Sequence, residues 1–275
     1  MRIVILCSSV YSETACAMAV RLSNSGHVPA GAVALPAANR KTLLRKLGQW
    51  GAKDLMRYAQ AKLIPQRSEK QAQIRNPYLQ PLLKHKDGLF RSLREVAKNY
   101  DFPVAVCSDQ NSPESIAQLK AWSPDLIIFT GGNILRKPLL QVPRLGVLNV
   151  HLGMLPEVRG MSTPEWSLLN DVPVGVTIHY INEGIDTGPI LERCEFPDAD
   201  GYPSLSDLRN RLIAFGIEKA GEVVENLDRG AITATPQSHL DEDRQFFVMH
   251  EWLQARAFER LTQSQSAATA GTLNG

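Results

Sequence analysis

The sequence predicts an α/β protein in which a mostly parallel, twisted sheet has helices on both faces and a small C-terminal extension follows it. Apolar strands alternate with helical segments from the first residues onward. A strand, helix, strand order implies right-handed crossovers and parallel pairing. Residues 125–130 are almost continuously apolar, as strands buried on both faces are. A chain of 275 residues with 44% hydrophobic content can bury such a core.

The N-terminal half alternates between the two kinds of element. The predicted strands are 2–6, 28–35 and 103–107, and the predicted helices are 13–23, 41–64, 89–100 and one that opens at Ser112. Ser12 is placed as an N-cap, and Pro113 occupies the first turn of its helix. Residues 41–64 have helical apolar spacing and a basic surface. We favour a peripheral helix on the sheet over a membrane-surface helix, and expect the proline-containing residues 65–88 to be irregular and mobile.

The C-terminal half continues the sheet and then becomes helical. Strands are predicted at 145–151, 174–181 and 190–196, the last two pairing across the loop Gly184 to Gly188. One helix or two cover 204–229, and 231–260 reads as a short strand, an acidic turn at 241–243 and a helix. We therefore expect a main domain at 1–200 with a basic helical insert at about 40–100, a helical extension at 201–262 and a disordered tail at 263–275.

The charge is unevenly distributed. Residues 40–100 hold 15 of the 30 Lys and Arg but only 4 of the 28 Asp and Glu, so a segment of +11 faces a remainder of −9. This asymmetry favours either an anionic partner or simply a solvated helical face.

Compartment and membrane association follow from the composition. No apolar run approaches the ~20 residues that span a bilayer, and the N-terminus reads as a strand rather than a signal peptide. The four cysteines are scattered without metal-binding spacing, so we expect reduced thiols, no metal and a cytoplasmic location.

Three residue types in one stretch carry the chemistry. Asn149 and His151 are two apart, so on a strand they face the same side. Asp186 lies in a glycine-flanked loop that can fold back over them. An Asn N–H and a charged His are oxyanion donors, and an Asp beside that His can hold its charge and relay a proton. This set suits transfer of a one-carbon acyl group between nitrogens. His179, on the next strand, is expected to be either structural or in contact with a ligand.

The ordered motif resembles the signature of folate-dependent formyltransferases. Its parts are Asn149-x-His151-x-Gly153-x-Leu155-Pro156-x-x-Arg159-Gly160, then Pro164 and Trp166, then Gly175-Val176-Thr177 and Asp186-x-Gly188. That family includes glycinamide ribonucleotide transformylase, methionyl-tRNA formyltransferase and sugar N-formyltransferases. The motif covers about 125–192, with looser similarity from the first strand to Gln237.

The resemblance implies a Rossmann-like formyltransferase fold and 10-formyltetrahydrofolate as formyl donor, with no metal. By motif position, Asn149, His151 and Asp186 match the catalytic trio. The segments that would hold the pterin, largely through backbone groups, are Gly132, Asn133, Ile134 and Leu135 on one side and Glu183, Gly184 and Ile185 on the other. The residues expected to contact the acceptor are Ser8, Ser9, Ser12, Arg159 and Gly160.

Two departures from the family's pattern reduce the range of acceptors that we expect. The turn after the first strand, Cys7 to Ser12, has no glycine, so the phosphate-binding turn of the ribonucleotide enzyme is missing. Only about 38 residues follow Gln237, fewer than the ~50 of a typical domain, so we do not expect the extra C-terminal domain of the tRNA enzyme. We therefore expect a small-molecule primary amine, an anionic amino sugar on a nucleotide, as acceptor.

Other interpretations stay open. The same trio can activate water, which would make the protein a 10-formyltetrahydrofolate hydrolase. A methionyl-tRNA formyltransferase-like role and a non-catalytic binder of RNA or an acidic partner are further alternatives, although the basic insert has few aromatic residues for stacking. The apolar residues at 246–258 either cover the core or form a homodimer face.

Overall fold

The computed structural model describes residues 1–36, 74–197, 202–237 and 245–260. The predictions for the helix at 41–64, for residues 65–73, for the acidic turn at 241–243 and for the tail at 263–275 lie outside these ranges. Among the described residues, no helix combines the length and apolar character that a bilayer crossing requires.

Strands and helices alternate through the described ranges. The strands are β1 (Ile3–Cys7), β2 (Gly31–Ala34), β3 (Lys84–His85), β4 (Gly88–Leu89), β5 (Val104–Val106), β6 (Leu126–Phe129), β7 (Gly146–His151), β8 (Arg159–Gly160), β9 (Gly175–Tyr180), β10 (Ile190–Glu195) and β11 (Gln245–Phe246). The helices are α1 (Glu13–Asn24), α2 (Gln80–Leu83), α3 (Leu93–Tyr100), α4 (Pro113–Trp122), α5 (Lys137–Leu140), α6 (Thr163–Leu169), α7 (Leu205–Asp228) and α8 (251–260).

Seven strands form the central sheet, in the order β10-β9-β7-β6-β1-β2-β5. The strands from β7 to β5 are parallel, whereas β9 runs antiparallel to β7 and to β10. Two small pairs lie outside this sheet, β3 with β4 and β8 with β11. The predicted α/β class and mostly parallel sheet are confirmed. The predicted pairing of strands 174–181 and 190–196 is confirmed as well, by β9 and β10.

Helices cover both faces of the sheet. Residues of α1, α3 and α7 pack with Ile3, Ile5 and Val176 in one buried cluster. Leu119 of α4 and Leu139 of α5 pack with residues of β1, β2, β6 and β7 in a second cluster. Four of these helices begin at a serine whose hydroxyl accepts a backbone N–H three residues on, at Ser12, Ser92, Ser112 and Ser204.

The contact between β7 and α7 shows to which face of the sheet each β7 side chain points. The strand and the helix approach closely, since a Cβ on Gly216 would lie 2.6 Å from Cγ1 of Val150. Val150 therefore points toward α7, and its neighbours Asn149 and His151 point to the other face of the sheet. Residues 205–228 form one continuous helix, which settles the alternative between one helix and two.

Two local predictions were wrong. Residues 74–88 were expected to be irregular, but they contain a 3-10 turn at Pro77–Leu79, helix α2 and the β3–β4 pair. The Glu13 carboxylate anchors this segment by accepting the Arg75 N–H at 2.8 Å and the Asn76 N–H at 3.0 Å. The helix expected from residue 89 begins only at Leu93 because Ser92 caps it. The cap at Ser92 is local, but the Glu13 anchor is long-range and leaves no local signal in the sequence.

Candidate active site

Strand β7 carries Asn149 and His151 at its carboxyl end. Asn149 is partly buried and His151 is only 5% exposed. Ligands of open α/β sheets bind at this end of the strands. The prediction that both side chains share one face of a strand agrees with the observed bounds of β7.

Asp186 reaches the same place from the loop between β9 and β10. Its backbone is left-handed, with φ of 52°, a conformation that Asp tolerates better than most residues. The side chain of Asn182 braces this loop, since its Oδ1 accepts the Gly184 N–H at 3.0 Å and the Thr187 hydroxyl at 2.7 Å. The resulting turn directs the Asp186 carboxylate inward, where it is 16% exposed.

His151 faces an oxygen atom with each of its ring nitrogens. Nε2 donates to the carbonyl oxygen of Val158 at 2.7 Å, and Nδ1 lies 3.4 Å from Oδ2 of Asp186. An imidazolium ring has a proton for each acceptor, whereas a neutral ring would direct a lone pair at one of them. The carboxylate is therefore placed to hold a proton on His151.

Asn149 is held by His179, directly across the antiparallel pair β7–β9. Nδ1 of His179 donates to the Tyr180 carbonyl at 2.9 Å, which leaves Nε2 to accept from Nδ2 of Asn149 at 3.2 Å. Burial, and after it the charge of His151, lowers the pKa of His179 from 6.5 to about 4, while Asp186 opposes the shift. His179 is thus neutral at pH 7, and Asn149 keeps a second N–H for another acceptor.

The neutral His179 makes stability depend on pH. Its folded-state pKa of about 4 lies below its ordinary 6.5, so its contribution is present above pH 6.5 and is lost as pH falls toward 4. We expect wild type to lose about 2 kcal/mol of unfolding free energy between pH 8 and pH 5 that a His179→Gln variant does not lose. Urea denaturation of both proteins at the two pH values measures this. Equal losses in both would contradict it.

The residues expected to hold a pterin lie on two neighbouring loops. Gly131 and Gly132 follow β6 with positive φ of 122° and 147°, so this turn exposes backbone without side chains. A surface ion pair, Nζ of Lys137 to Oε1 of Glu183 at 3.6 Å, joins the start of α5, just after this turn, to the Asp186 loop.

The apolar residues of these loops differ in exposure. Ile134 is 78% exposed on one loop and Ile185 is 41% exposed on the other. Leu135 is only 7% exposed and packs in the core with Leu139. Leu135 therefore anchors the turn, and Ile134 is the apolar residue of this loop that stays exposed.

The predicted acceptor residues of the first turn are partly used by the protein itself. The Ser12 hydroxyl caps α1, and the Ser9 hydroxyl accepts the Tyr11 N–H at 3.2 Å. Ser8 is exposed beside Gly131. Glu13 places a carboxyl group in the first turn of α1, which disfavours a phosphate at that helix end.

Arg159 and Gly160, also predicted to contact the acceptor, form β8. The Gly160 N–H donates to Oδ2 of Asp186 at 2.9 Å. The partner strand β11 lies so close that a Cβ on Gly160 would be 2.1 Å from the Phe246 carbonyl oxygen. Trp166 stacks on Phe246 with ring centroids 4.8 Å apart. Gly160 therefore connects the C-terminal strand to the carboxylate of Asp186.

The thiols do not contribute a nucleophile to this site. Burial raises the pKa of both Cys7 and Cys194 to about 12, which leaves little reactive thiolate at neutral pH. All four cysteines are free. Within the described ranges, no group of three or more His, Cys, Asp or Glu side chains is arranged to hold a metal ion.

Two glutamines near the site were not singled out from the sequence. Gln110 is fully buried, and it accepts the Asn133 N–H at 2.9 Å and donates to the Gly131 carbonyl at 3.2 Å. Gln237 donates to two carbonyl oxygens of the Asp186 loop. Both act on backbone groups far away in sequence, so neither periodicity nor spacing could reveal them.

Known proteins share this fold, and others are similar in sequence over about half of the chain. The solved structures that match include glycinamide ribonucleotide transformylase 1 from Symbiobacterium toebii, with a TM-score of 0.56 and 17% identity over 86% of this chain and 94% of that chain. A sugar N-formyltransferase from Shewanella sp. matches with a TM-score of 0.54 and 13% identity over 95% of this chain and 87% of that chain. At these identities the two structures establish the fold.

Sequence relatives are more similar over a shorter range. The methionyl-tRNA formyltransferase of Koribacter versatilis is 36% identical over 155 residues, 55% of this chain and 49% of its own length. That of Trichlorobacter lovleyi is 35% identical over 147 residues, 53% of this chain and 46% of its own length. The chain thus spans about half the length of the curated relatives it matches. The sequence profile described as formyl transferase matches residues 55–224, which is more than half of the chain, and this protein is therefore a member of the formyl transferase family.

Proposed function

We propose that this protein transfers a formyl group from 10-formyltetrahydrofolate to a primary amine. The observation that carries the proposal is the contact between His151 and Asp186, 3.4 Å apart, beside an Asn149 amide that His179 holds in place. In the net reaction, a C–N bond to the formyl carbon forms at the acceptor and another breaks at the donor. One proton leaves the acceptor nitrogen and one arrives at the donor nitrogen.

The loop after β6 and the loop that carries Asp186 suit the donor, which has a flat ring with a polar edge. Gly132 is exposed and carries no side chain, so its backbone can approach the polar edge, and Ile134 and Ile185 supply exposed apolar surface. The donor, when bound, supplies a formyl group attached to nitrogen. The chain supplies positioning and charge.

Each member of the trio has a separate task in this proposal. The free N–H of Asn149 would donate to the formyl oxygen as negative charge develops there. His151 would present its positive charge to the same atom. Asp186 would keep His151 protonated and accept the proton that the amine loses, directly or through water.

The preferred acceptor is an amino sugar on a nucleotide. Exposed apolar side chains follow directly on both strands of the β8–β11 pair, whose Gly160 contacts Asp186: Met161 is 59% and Phe247 72% exposed. Trp252, in the next helix, is 69% exposed. Apolar and aromatic groups on this side suit a base that stacks. The basic segment 40–100 suits the diphosphate.

A second candidate acceptor is methionylated initiator tRNA. The relatives that are 35% and 36% identical carry the name methionyl-tRNA formyltransferase. The same basic segment also suits a nucleic acid backbone.

Comparing kcat/KM for the two acceptors separates these candidates. We expect kcat/KM for the nucleotide-linked amino sugar to exceed kcat/KM for the tRNA by at least about 100-fold, a difference of about 2.7 kcal/mol in transition-state binding. The reverse preference would identify the tRNA as acceptor.

A further inference from the structure

Gln237 lies against the loop that carries Asp186. Its side-chain Nε2 donates to the Asp186 carbonyl oxygen at 2.8 Å and to the Gly188 carbonyl oxygen at 2.7 Å. Both amide protons of Nε2 can be used in this way, one for each carbonyl. Gln237 lies beyond residues 55–224, the part that the family profile matches.

The position of Gln237 is fixed by a bridge two residues earlier. Thr235 and Ile190 exchange backbone hydrogen bonds, with N···O distances of 2.7 and 2.8 Å. In an antiparallel arrangement this places residue 237 beside residue 188. The bridge thus delivers the Gln237 side chain to the loop just before β10 begins.

Asp186 needs such support because its backbone conformation is costly. A left-handed residue other than glycine is strained and persists only where its surroundings hold it. Asn182 braces Gly184 and Thr187. Within the described residues, the Asp186 carbonyl oxygen accepts one hydrogen bond, and Gln237 donates it.

The carboxylate tolerates little displacement. Oδ2 accepts the Gly160 N–H at 2.9 Å and lies 3.4 Å from Nδ1 of His151. A rotation of the Asp186 peptide group would move both contacts together. Hydrogen bonds weaken when donor and acceptor separate or misalign, so both contacts of the carboxylate depend on the loop being held.

We propose that Gln237 is a positioning residue that holds the Asp186 loop so that its carboxylate stays against His151 and the Gly160 N–H. The positioning rests on contacts alone, and its catalytic consequence rests on the proposed function. The substitutions Gln237→Leu and Gln237→Glu test it, since the second keeps the shape and removes the N–H donors. Gln254→Leu is the matched control, because Gln254 makes a similar bond to the Met249 carbonyl at 3.0 Å.

Amide hydrogen exchange in the unliganded protein tests the positioning without any activity. We expect the Gly160 amide to exchange about tenfold faster or more in both Gln237 variants, as a bond worth about 1.4 kcal/mol is lost. The neighbouring Met161 amide, bonded to the Phe246 carbonyl, should not change, and neither amide should change in Gln254→Leu. Unchanged Gly160 exchange in both variants would overturn the proposal.

Kinetics then test the catalytic consequence. Both variants should lower kcat about tenfold or more with KM for the donor within about threefold, because a misplaced group is costly in the transition state. In an Asp186→Asn background, Gln237→Leu should cost less than about threefold. A full tenfold loss in that background would show that Gln237 acts elsewhere. If the wild-type protein transferred no formyl group, the proposed function would be refuted. The exchange rate of the Gly160 amide would still show whether Gln237 positions the Asp186 loop.

Discussion

Replacing Asp186 with asparagine should leave the protein folded and lower turnover about 100-fold or more, the range for removing an acid–base group. Asparagine also tolerates the left-handed backbone and can still accept the Gly160 N–H. It removes only the negative charge, which lies 3.4 Å from His151 and 3.6 Å from His179. Steady-state kinetics with donor and amine, together with a thermal melt, measure the two parts of this expectation.

The matched control for this variant is Asp101→Asn. Asp101 has the same left-handed backbone, with φ of 60°, at the C-terminal end of α3. It should keep wild-type turnover. Turnover of Asp186→Asn within about threefold of wild type would show that the carboxylate is not part of the chemistry.

Removing the imidazole of His151 should have an effect of the same size. We expect His151→Ala to lower kcat about 100-fold or more, because Asp186 then has no cation to hold beside the reacting oxygen. The variant also leaves the Val158 carbonyl without its donor, so thermal melting must accompany the assay. Turnover is to be compared at a temperature where both proteins are folded.

His27→Ala controls for the loss of a His–Asp pair. Nε2 of His27 lies 3.2 Å from Oδ2 of Asp228, on the α1 and α7 side of the sheet. This change should alter stability and leave kcat within about twofold. Equal kcat losses in the two histidine variants would mean that His151 contributes only to folding.

The sequence predicts much of this site because its signals are local. The period of a strand places Asn149 and His151 on one face, and β7 has the bounds that this requires. The glycine-flanked loop before β10 marks a turn, and Asp186 lies in it with positive φ. The alternation of strands and helices likewise predicts the parallel sheet, because crossover handedness leaves few other arrangements.

What the sequence does not predict depends on register and on distant contacts. His179 holds Asn149 only because β9 pairs with β7 in the register that sets these two residues opposite one another. Gln237 reaches Asp186 only because Thr235 bridges Ile190, across 44 intervening positions that give no periodic signal. The order in residues 74–88 depends on Glu13, which lies more than 60 residues away.

The most direct test of formyl transfer is to count both products in one reaction. Purified protein is incubated with 10-formyltetrahydrofolate, with and without a primary amine, and tetrahydrofolate and N-formyl product are measured together. We expect equal amounts of the two products with a suitable amine and little tetrahydrofolate without it. Tetrahydrofolate released at the same rate without amine would show hydrolysis, and no release with any amine, charged initiator tRNA included, would contradict the account.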